Sequence, residues 1–443
     1  MSKTNKDKRS FSIGSVFFLL IVIPLSLMAF LIANGMFKLG VTIKERAMNV
    51  LDAKSQEDIQ ARAVNTANEI ANFLMECKKD LQVATIIPST ENVYKQFVVE
   101  NKKPLWVKRD GKVQQAFIPL YKELALIDKN GNEKIKIVDG KVLPTAKLVN
   151  VSIPANTTYK SETYFAKTKN LNKSEIYVSP VTGWYVNKAA FDKGERFSGV
   201  IRFATPIFDQ NGFAGIIVLS VDYRHLAQFT DQLVPTQAER VFEADASTGN
   251  YAFMFDPRGF MISHPSDYHI VGYNRDGTIV PTITEQNIKE LTQKGAEALN
   301  LFDMGFLDPN LFTLAKESVA GKSGTKIYKF HGITKFVAYT PIKFYASNLP
   351  EPAGFGCVCL GVEIEKYNEA MQKVSENIEK ESKAWTATVI FILVAAMIVL
   401  FFIMLLWSVV LPDPYKQKFL KVRKETCCHL STMTRTRTTN KTK

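Results

Sequence analysis

The sequence has few cysteines and none of the short motifs that mark common enzyme sites. Its five cysteines among 443 residues give no disulfide framework, because a bond between Cys357 and Cys359, two positions apart, would be strained. These two and Cys77 are interpreted as small buried apolar residues. Glycine-rich phosphate loops, Gly-x-Ser-x-Gly and His-Glu-x-x-His are all absent. We therefore predict no catalytic residue and no cofactor, so the chain is not expected to be an enzyme.

Metal ligands at a useful spacing are also lacking. His264 and His269 are five residues apart, and side chains at that spacing do not share a helix face. The tail segment 427–429 reads Cys-Cys-His, but adjacent cysteines do not have the spacing of zinc ligands. We predict that the chain binds no metal.

Charged side chains are missing from two long stretches, 10–37 and 384–412. Both exceed the roughly 20 apolar residues needed to cross a bilayer core. The apolar part of the first stretch, 16–33, is longer than the core of a secretory signal. Trp385 and Trp407 lie near the ends of the second stretch, where aromatic side chains favour the membrane interface. These patterns predict two transmembrane helices.

The positive net charge of +13 is concentrated at the two ends of the chain. Segment 1–9 has a net charge of +3 and segment 413–443 has +7, which leaves +3 for everything between them. Short basic segments beside membrane helices stay in the cytoplasm. This predicts that both termini are cytoplasmic and can contact membrane lipid, that 38–383 is extracytoplasmic, and that nucleic acid is not a partner.

Apolar residues recur at helical spacing after the first membrane helix. Segment 41–87 contains no proline or glycine and is followed by Pro88. Its apolar residues recur at alternating steps of four and three. That spacing predicts a long helix with one apolar seam. The seam can pack on the rest of the extracytoplasmic region or on a second copy, and we expect a homodimer through this helix.

The most strongly patterned stretch of the chain is 200–226. Two apolar runs are joined by a turn that ends in Asn211 and Gly212, and Asn-Gly supplies the positive φ angles of a tight hairpin. The second run ends at Asp222. A carboxylate at that position is either paired at the strand end or available to a cationic ligand group.

Segment 251–262 repeats the plan of segment 124–135, an apolar run, an Asp-x-x-Gly turn and a second apolar run. The Thr-Pro pair at 205–206 is likewise echoed at 340–341. Repeated patterns of this kind predict two similar antiparallel-sheet modules in tandem.

This layout resembles the double Cache sensor ectodomains of bacterial chemoreceptors and sensor kinases. The resemblance implies an α+β fold, in which a long helix and two tandem PAS-like sheet modules are flanked by two transmembrane helices. The predicted parts are a cytoplasmic tail 1–9, transmembrane helix 10–37, sensor region 38–383, transmembrane helix 384–412 and basic tail 413–443. Within the sensor region they are a long helix 38–88, a membrane-distal module 89–240 and a membrane-proximal module 241–370.

The family's amino-acid-binding members hold the ligand carboxylate with an Arg-x-Trp-Tyr stretch, and the ammonium group with a tyrosine and a strand-end aspartate. Here Tyr177 resembles that tyrosine, Asp222 resembles that aspartate, and Tyr164-Phe165 falls near the Trp-Tyr position. Glu162, however, stands where the arginine belongs. Lys160, Arg196 or Arg202 can substitute for it, or the ligand is cationic or uncharged. The predicted ligand-binding residues are Asp222, Tyr177, Tyr164, Phe165, Trp184, Tyr185 and Arg202.

The 31 residues after 412 show no receptor output motif. We expect a receptor that is truncated after its second membrane helix, in the inner membrane of a bacterium, binding an amino acid, amine or organic acid. The alternative is a binding subunit that signals through a separate membrane or cytoplasmic partner. An ectoenzyme is the third and least favoured interpretation.

Overall fold

The computed structural model describes residues 13–109, 112–237, 240–241, 243–330 and 332–410. Contacts divide the chain into two compact units: Asp52–Ala370, and the paired terminal segments Met1–Leu51 and Met371–Lys443. The predicted tails 1–9 and 413–443 lie outside the described residues.

Eight helices and fourteen strands are formed by the described residues. The helices are α1 Ile13–Ala84, α2 Glu91–Glu100, α3 Tyr164–Thr168, α4 Lys188–Asp192, α5 Arg224–Asp231, α6 Ile288–Gln293, α7 Pro309–Val319 and α8 Ile364–Val410. The strands are β1 Lys102–Arg109, β2 Lys112–Pro119, β3 Tyr121–Asp128, β4 Glu133–Val138, β5 Lys141–Val142, β6 Tyr177–Val178, β7 Thr182–Gly183, β8 Gly199–Asp209, β9 Gly212–Asp222, β10 Tyr251–Phe255, β11 Met261–Ser263, β12 Gly324–Phe330, β13 Ile333–Ile342 and β14 Gly356–Glu363.

Two helical segments are long and apolar enough to cross a membrane. They are Leu19–Leu39 within α1 and Glu376–Ile403 within α8. Both spans overlap the predicted stretches, and their large apolar side chains are mostly exposed, as those of lipid-facing helices are. Pro24 lies inside α1 without ending it.

Helix α1 continues without a break from the apolar span into the unit 52–370. It ends at Ala84, four residues before Pro88, where the sequence predicts its end. The predicted seam is buried in the hydrophobic core of the unit 52–370; it consists of Ala63, Ala67, Ile70, Leu74, Cys77, Leu81 and Ala84. Ile59, which was not predicted, is buried in the same core. The seam therefore packs on the chain itself. The homodimer remains a prediction, and its contact would have to use another face of α1.

The two main sheets, of seven and five strands, share the order of their four central strands. Their orders are β5-β4-β3-β9-β8-β6 and β11-β10-β14-β13-β12, so in each the first strand lies between the second and the last. All pairings in both sheets are antiparallel. Residues of α1 and of both sheets share one hydrophobic core. The predicted α+β fold with two antiparallel-sheet modules is confirmed.

The Asp-x-x-Gly turns are built alike in the two sheets. Asp128 Oδ1 accepts bonds from the backbone N–H of residues 130 and 132, both at 2.9 Å. Asp256 Oδ1 accepts from the N–H of residues 258 and 260, at 2.9 and 3.2 Å. Each aspartate thus closes the turn that follows the first strand of its module.

The predicted β8–β9 hairpin is present, but its tip differs in detail. Asp209 pairs with Gly212, which leaves Gln210 and Asn211 as the loop. Asn211 does not have the expected positive φ; its backbone N–H is held by Asp209 Oδ1 at 2.7 Å. Gly212, with φ of 104°, alone supplies the left-handed turn.

Candidate functional site

A buried ion network lies within the first sheet, centred on Arg202 of β8. The side chain is 2% exposed, and its guanidinium makes four hydrogen bonds. Nε and Nη2 donate to the two carboxylate oxygens of Glu162, at 2.5 and 3.2 Å. Nη1 donates to Glu123 at 2.5 Å and to Ser220 Oγ at 2.8 Å. Arg202 is therefore held by its own chain.

The carboxylates and the guanidinium of this network stabilise one another. Burial alone would raise the pKa of Glu123, but Arg202 and then Lys136 lower it below its ordinary value. Burial would lower the pKa of Arg202, whereas the two carboxylates raise it well above its ordinary value. Arg202 is therefore not the only cation that acts on Glu123. Glu162 is thus the counter-ion of Arg202 rather than a replacement for the family's arginine.

Three of the predicted aromatic residues lie together beside this network. Tyr164, Phe165 and Tyr177 share a hydrophobic cluster on one face of the first sheet. The Arg202 guanidinium lies over the Tyr164 ring, 5.1 Å from its centre. Burial raises the pKa of Tyr177 to about 12, so all three side chains are neutral apolar walls of the network.

Trp184 and Tyr185 point to two different neighbours. Trp184 packs on Tyr159 with ring centres 5.0 Å apart, and Arg275 lies 4.7 Å over its ring. The hydroxyl of Tyr185 donates to the carbonyl of Tyr268 and accepts from the N–H of Glu297, both at 2.9 Å. Trp184 therefore lies near the network through Tyr159, whose backbone N–H donates to Glu162, while Tyr185 is part of a separate contact.

The carboxylate of Asp222 forms an ion pair with Arg224, two residues further along the chain. Its carboxylate receives Nη2 of Arg224 at 2.6 Å, Nε at 3.1 Å, and the backbone N–H of Arg224 at 3.0 Å. An aspartate paired with an arginine two residues further on also occurs at the turn residue Asp256, where Arg258 Nη2 donates to the carboxylate at 2.5 Å. The structure thus gives Asp222 a local partner, and its contact with a ligand remains a prediction.

Sequence reasoning missed the partners of Arg202. Glu123 and Arg202 each occupy an apolar strand, where a buried charge requires an opposite charge nearby. The available signal was therefore a glutamate in one apolar strand and an arginine in another. Glu162 was singled out only as a departure from the family's arginine.

A cavity of about 700 Å³ lies elsewhere in the unit 52–370. It is bordered by β1, by α5 and by the loop after β11, and none of the seven predicted ligand-binding residues lines it. His264 and His269 on its wall are engaged locally: His264 Nδ1 accepts from the N–H of Ser266, and His269 Nδ1 lies 2.9 Å from the carbonyl of Glu297. Among the described residues no group of three or more metal-ligating side chains is placed to hold an ion.

Asp267 on this cavity wall gives the stability of the protein a defined pH dependence. Burial raises the pKa of its carboxyl to about 6, although the backbone N–H of Phe197 donates to it at 2.5 Å. A raised pKa means that the folded state holds a proton which the unfolded state has released. The stability associated with that proton is present below about pH 4 and is lost as the pH rises to about 6.

We therefore expect Asp267→Asn to be more stable than the natural protein above about pH 6, by up to about 3 kcal/mol. Thermal melts of both proteins from pH 4 to 8 measure this. The gap between the melting temperatures should widen between about pH 4 and 6 and then stay constant. A gap that is independent of pH would contradict the prediction.

No protein-family model and no curated protein sequence matches this chain significantly. Solved structures do resemble it. The ligand-binding domain of the Pseudomonas aeruginosa chemoreceptor PctB, in complex with L-Arg, has 13% identity and a TM-score of 0.41 over 75% of this chain and 98% of that one. The ligand-binding domain of the Pseudomonas fluorescens chemoreceptor CtaA, in complex with L-isoleucine, has 12% identity and a TM-score of 0.39 over 73% of this chain and 98% of that one. The ligand-binding domain of Mlp24 with asparagine has 13% identity and a TM-score of 0.38 over 72% of this chain and 98% of that one. These three structures are ligand-binding domains, each at low sequence identity to this chain.

Proposed function

We propose that this chain is a membrane-anchored sensor whose region 38–383 binds a small molecule outside the cytoplasm. The observation that carries the proposal is the extent of α1. This single helix contains both the apolar span Leu19–Leu39 and the seam of α1 that is buried in the core shared by the two sheets. A ligand that changes how this seam packs acts directly on the helix that continues into the span.

The signal in this proposal is a shift between two packing states. A ligand shifts such an equilibrium only by its difference in affinity for the two states. Within the proposal the protein lies in the bacterial inner membrane with both termini in the cytoplasm. It acts as a homodimer in chemotaxis or sensor-kinase signalling.

The Arg202 network limits how a ligand can bind in the membrane-distal module. A ligand carboxylate needs a guanidinium with free donors, but Arg202 already donates to Glu123, Glu162 and Ser220. The engaged guanidinium and the aromatic neighbours Tyr159 and Trp184 favour a cationic or uncharged ligand at this place. We therefore do not expect an amino acid to be held here by its carboxylate through Arg202.

A thermal-melt screen of the full chain in detergent tests the sensor function. The candidates are amino acids, amines, organic acids and nucleobases. A ligand at 100 times its dissociation constant adds about 2.7 kcal/mol to the free energy of unfolding, which raises the melting temperature by several degrees. A screen in which no compound of any class shifts the melt would contradict the proposal.

Any compound that shifts the melt is then titrated against Asp222→Asn and Asp256→Asn. The two aspartates make equivalent pairs with Arg224 and Arg258, so the second variant is a matched control for the loss of such a pair. If Asp222 contacts the ligand, only the first variant weakens binding, by about tenfold or more. Equal effects of the two variants would make Asp222 a structural residue.

A further inference from the structure

We propose that the cavity of about 700 Å³ beside α5 is a separate binding site for a small primary amine in its ammonium form. The site goes beyond the predicted ligand residues, since none of them lines the cavity. Its volume lies within the range of known small-molecule sites, about 300–1,000 Å³.

Three side chains with hydrogen-bond acceptors line the cavity, and two of them, Asp231 and Asp267, are near enough for one to raise the pKa of the other. Asp231 and Gln232 end α5, and Asp267 belongs to the loop after β11. Gln232 is 4% exposed, and within the described part of the chain its Oε1 has no hydrogen-bond partner. A buried acceptor without a partner is unusual in a folded protein and indicates that a donor binds there.

The carboxyl groups of Asp231 and Asp267 accept few hydrogen bonds from the rest of the described chain. Asp231 accepts one long bond, from Thr230 Oγ1 at 3.4 Å, and burial followed by the nearby Asp267 raises its pKa well above the ordinary value. Asp267 accepts the N–H of Phe197. An ammonium group has three N–H donors and one positive charge. It would supply the donor that Gln232 lacks, and its charge would lower the pKa of Asp231 and Asp267 so that both bind it as carboxylates.

The cations around the cavity are already held by other groups. Arg196 lies 3.9 Å from Glu243 and over the Phe191 ring, and Arg224 binds Asp222. Lys335 donates to the hydroxyl of Tyr251 at 2.8 Å and lies over the rings of Tyr251 and Phe330. Among the described residues none of these three side chains forms an ion pair with Asp231 within 4 Å, although Arg196 lies near enough to act against the rise in the pKa of Asp231.

The remaining titratable groups on the wall do not oppose a cation. Burial and His269 lower the pKa of His264 well below its ordinary value, so this imidazole is neutral. Asp245 accepts the N–H of Ser247 and adds negative charge. Aromatic side chains cover other parts of the wall and provide apolar contact for the carbon chain of an amine; they are Trp106, Phe191, Phe197 and Tyr268.

Calorimetric titration of the full chain in detergent with n-butylamine at pH 7 tests the site. Tetramethylammonium has the charge without the donors, n-butanol has a hydroxyl without the charge, and butyrate has the opposite charge. We expect n-butylamine to bind best and butyrate not at all. Binding of n-butanol or butyrate as tight as that of n-butylamine would overturn the proposal.

Two variants connect the binding to the acceptors. Asp231→Asn keeps the shape of the side chain and should weaken n-butylamine binding about tenfold to hundredfold. Gln232→Met removes the partnerless acceptor, and it should weaken binding without lowering the melting temperature. Glu290→Gln, in an exposed pair with Lys294, is the matched control and should bind like the natural protein. Unchanged affinity in both Asp231→Asn and Gln232→Met would overturn the site.

This test is independent of the screen for a sensor ligand. A ligand that shifts the melt equally in the natural protein and in Asp231→Asn would support the sensor function and exclude the cavity as its site. Binding of n-butylamine in the cavity without any effect on signalling would leave the site established and the sensor function unsupported.

Discussion

Replacing Arg202 by methionine is expected to lower the free energy of unfolding by about 3–5 kcal/mol. Among the described residues, Arg202 is the cation whose side chain is hydrogen-bonded to both Glu123 and Glu162, and both carboxylates are less than 10% exposed. Carboxylates left in an apolar interior without a counter-charge are strongly unfavourable. Thermal melts of the full chain in detergent measure the loss.

The pH dependence of this loss identifies its cause. Because Arg202 lowers the pKa of Glu123 in the folded protein, the pairing stabilises above the pKa of an unfolded glutamate and is lost as the pH falls. The difference between Arg202→Met and the natural protein should be largest at neutral pH and shrink towards about pH 4. Lys294→Met, in an exposed pair with Glu290, should change stability by less than about 1 kcal/mol at any pH.

A compensated variant separates charge from shape. Arg202→Met combined with Glu123→Gln and Glu162→Gln removes all three charges and should recover at least half of the lost melting temperature, since neutral groups of similar volume often replace a buried ion network. If the triple variant is as unstable as Arg202→Met alone, the guanidinium stabilises the sheet through packing and not through its charge.

Gly215→Ala is expected to be comparably destabilising, for a steric reason. Gly215 begins the buried part of β9 with φ of 153°, opposite Asp128 of β3. A Cβ at this position would lie far inside van der Waals contact with the carbonyl oxygen of Ile127, and backbone on both strands would have to move. We expect a loss of several kcal/mol, measured as a lower melting temperature.

Gly212→Ala is the matched control for the backbone angle. Gly212 also has a positive φ, 104°, but nothing lies within 4 Å of an added Cβ. Its substitution should therefore cost only the left-handed strain, about 1–2 kcal/mol. Similar losses in the two variants would show that strain, not the close approach of β9 to β3, explains the requirement for glycine at 215.

The strand pattern and the helix seam could be predicted from the sequence because they depend on local periodicity. The seam of α1 is spaced at steps of three and four, and the two modules repeat the same Asp-x-x-Gly turn. The surface on which the seam packs cannot be predicted from local periodicity, because it is formed by residues far away in the chain. The sequence allowed a second copy or the rest of the chain, and the structure places the seam in the chain's own core.

The site was predicted less well because its partners are distant in the chain. Glu123 and Glu162 are 79 and 40 residues before Arg202, and no periodicity connects them. Asp222 was expected either to pair with a lysine or to meet a ligand; its partner is Arg224, two residues away, through a turn that the strand pattern does not describe. The tip of the β8–β9 hairpin differs for a similar reason, since a side chain of Asp209 holds Asn211.

The buried stripe of α1 also sets an order for biosynthesis. The stripe, 59–84, is translated well before the β8–β9 hairpin with which it shares a core, 199–222. At the usual rate of synthesis the delay is roughly 10 s. During that time the apolar face of the helix has the partners that are made before β8, such as Tyr94 of α2 and Tyr121 of β3, but lacks those of β8 and β9. Nascent chains halted before β8 should therefore depend on a chaperone outside the membrane more strongly than chains that include β9.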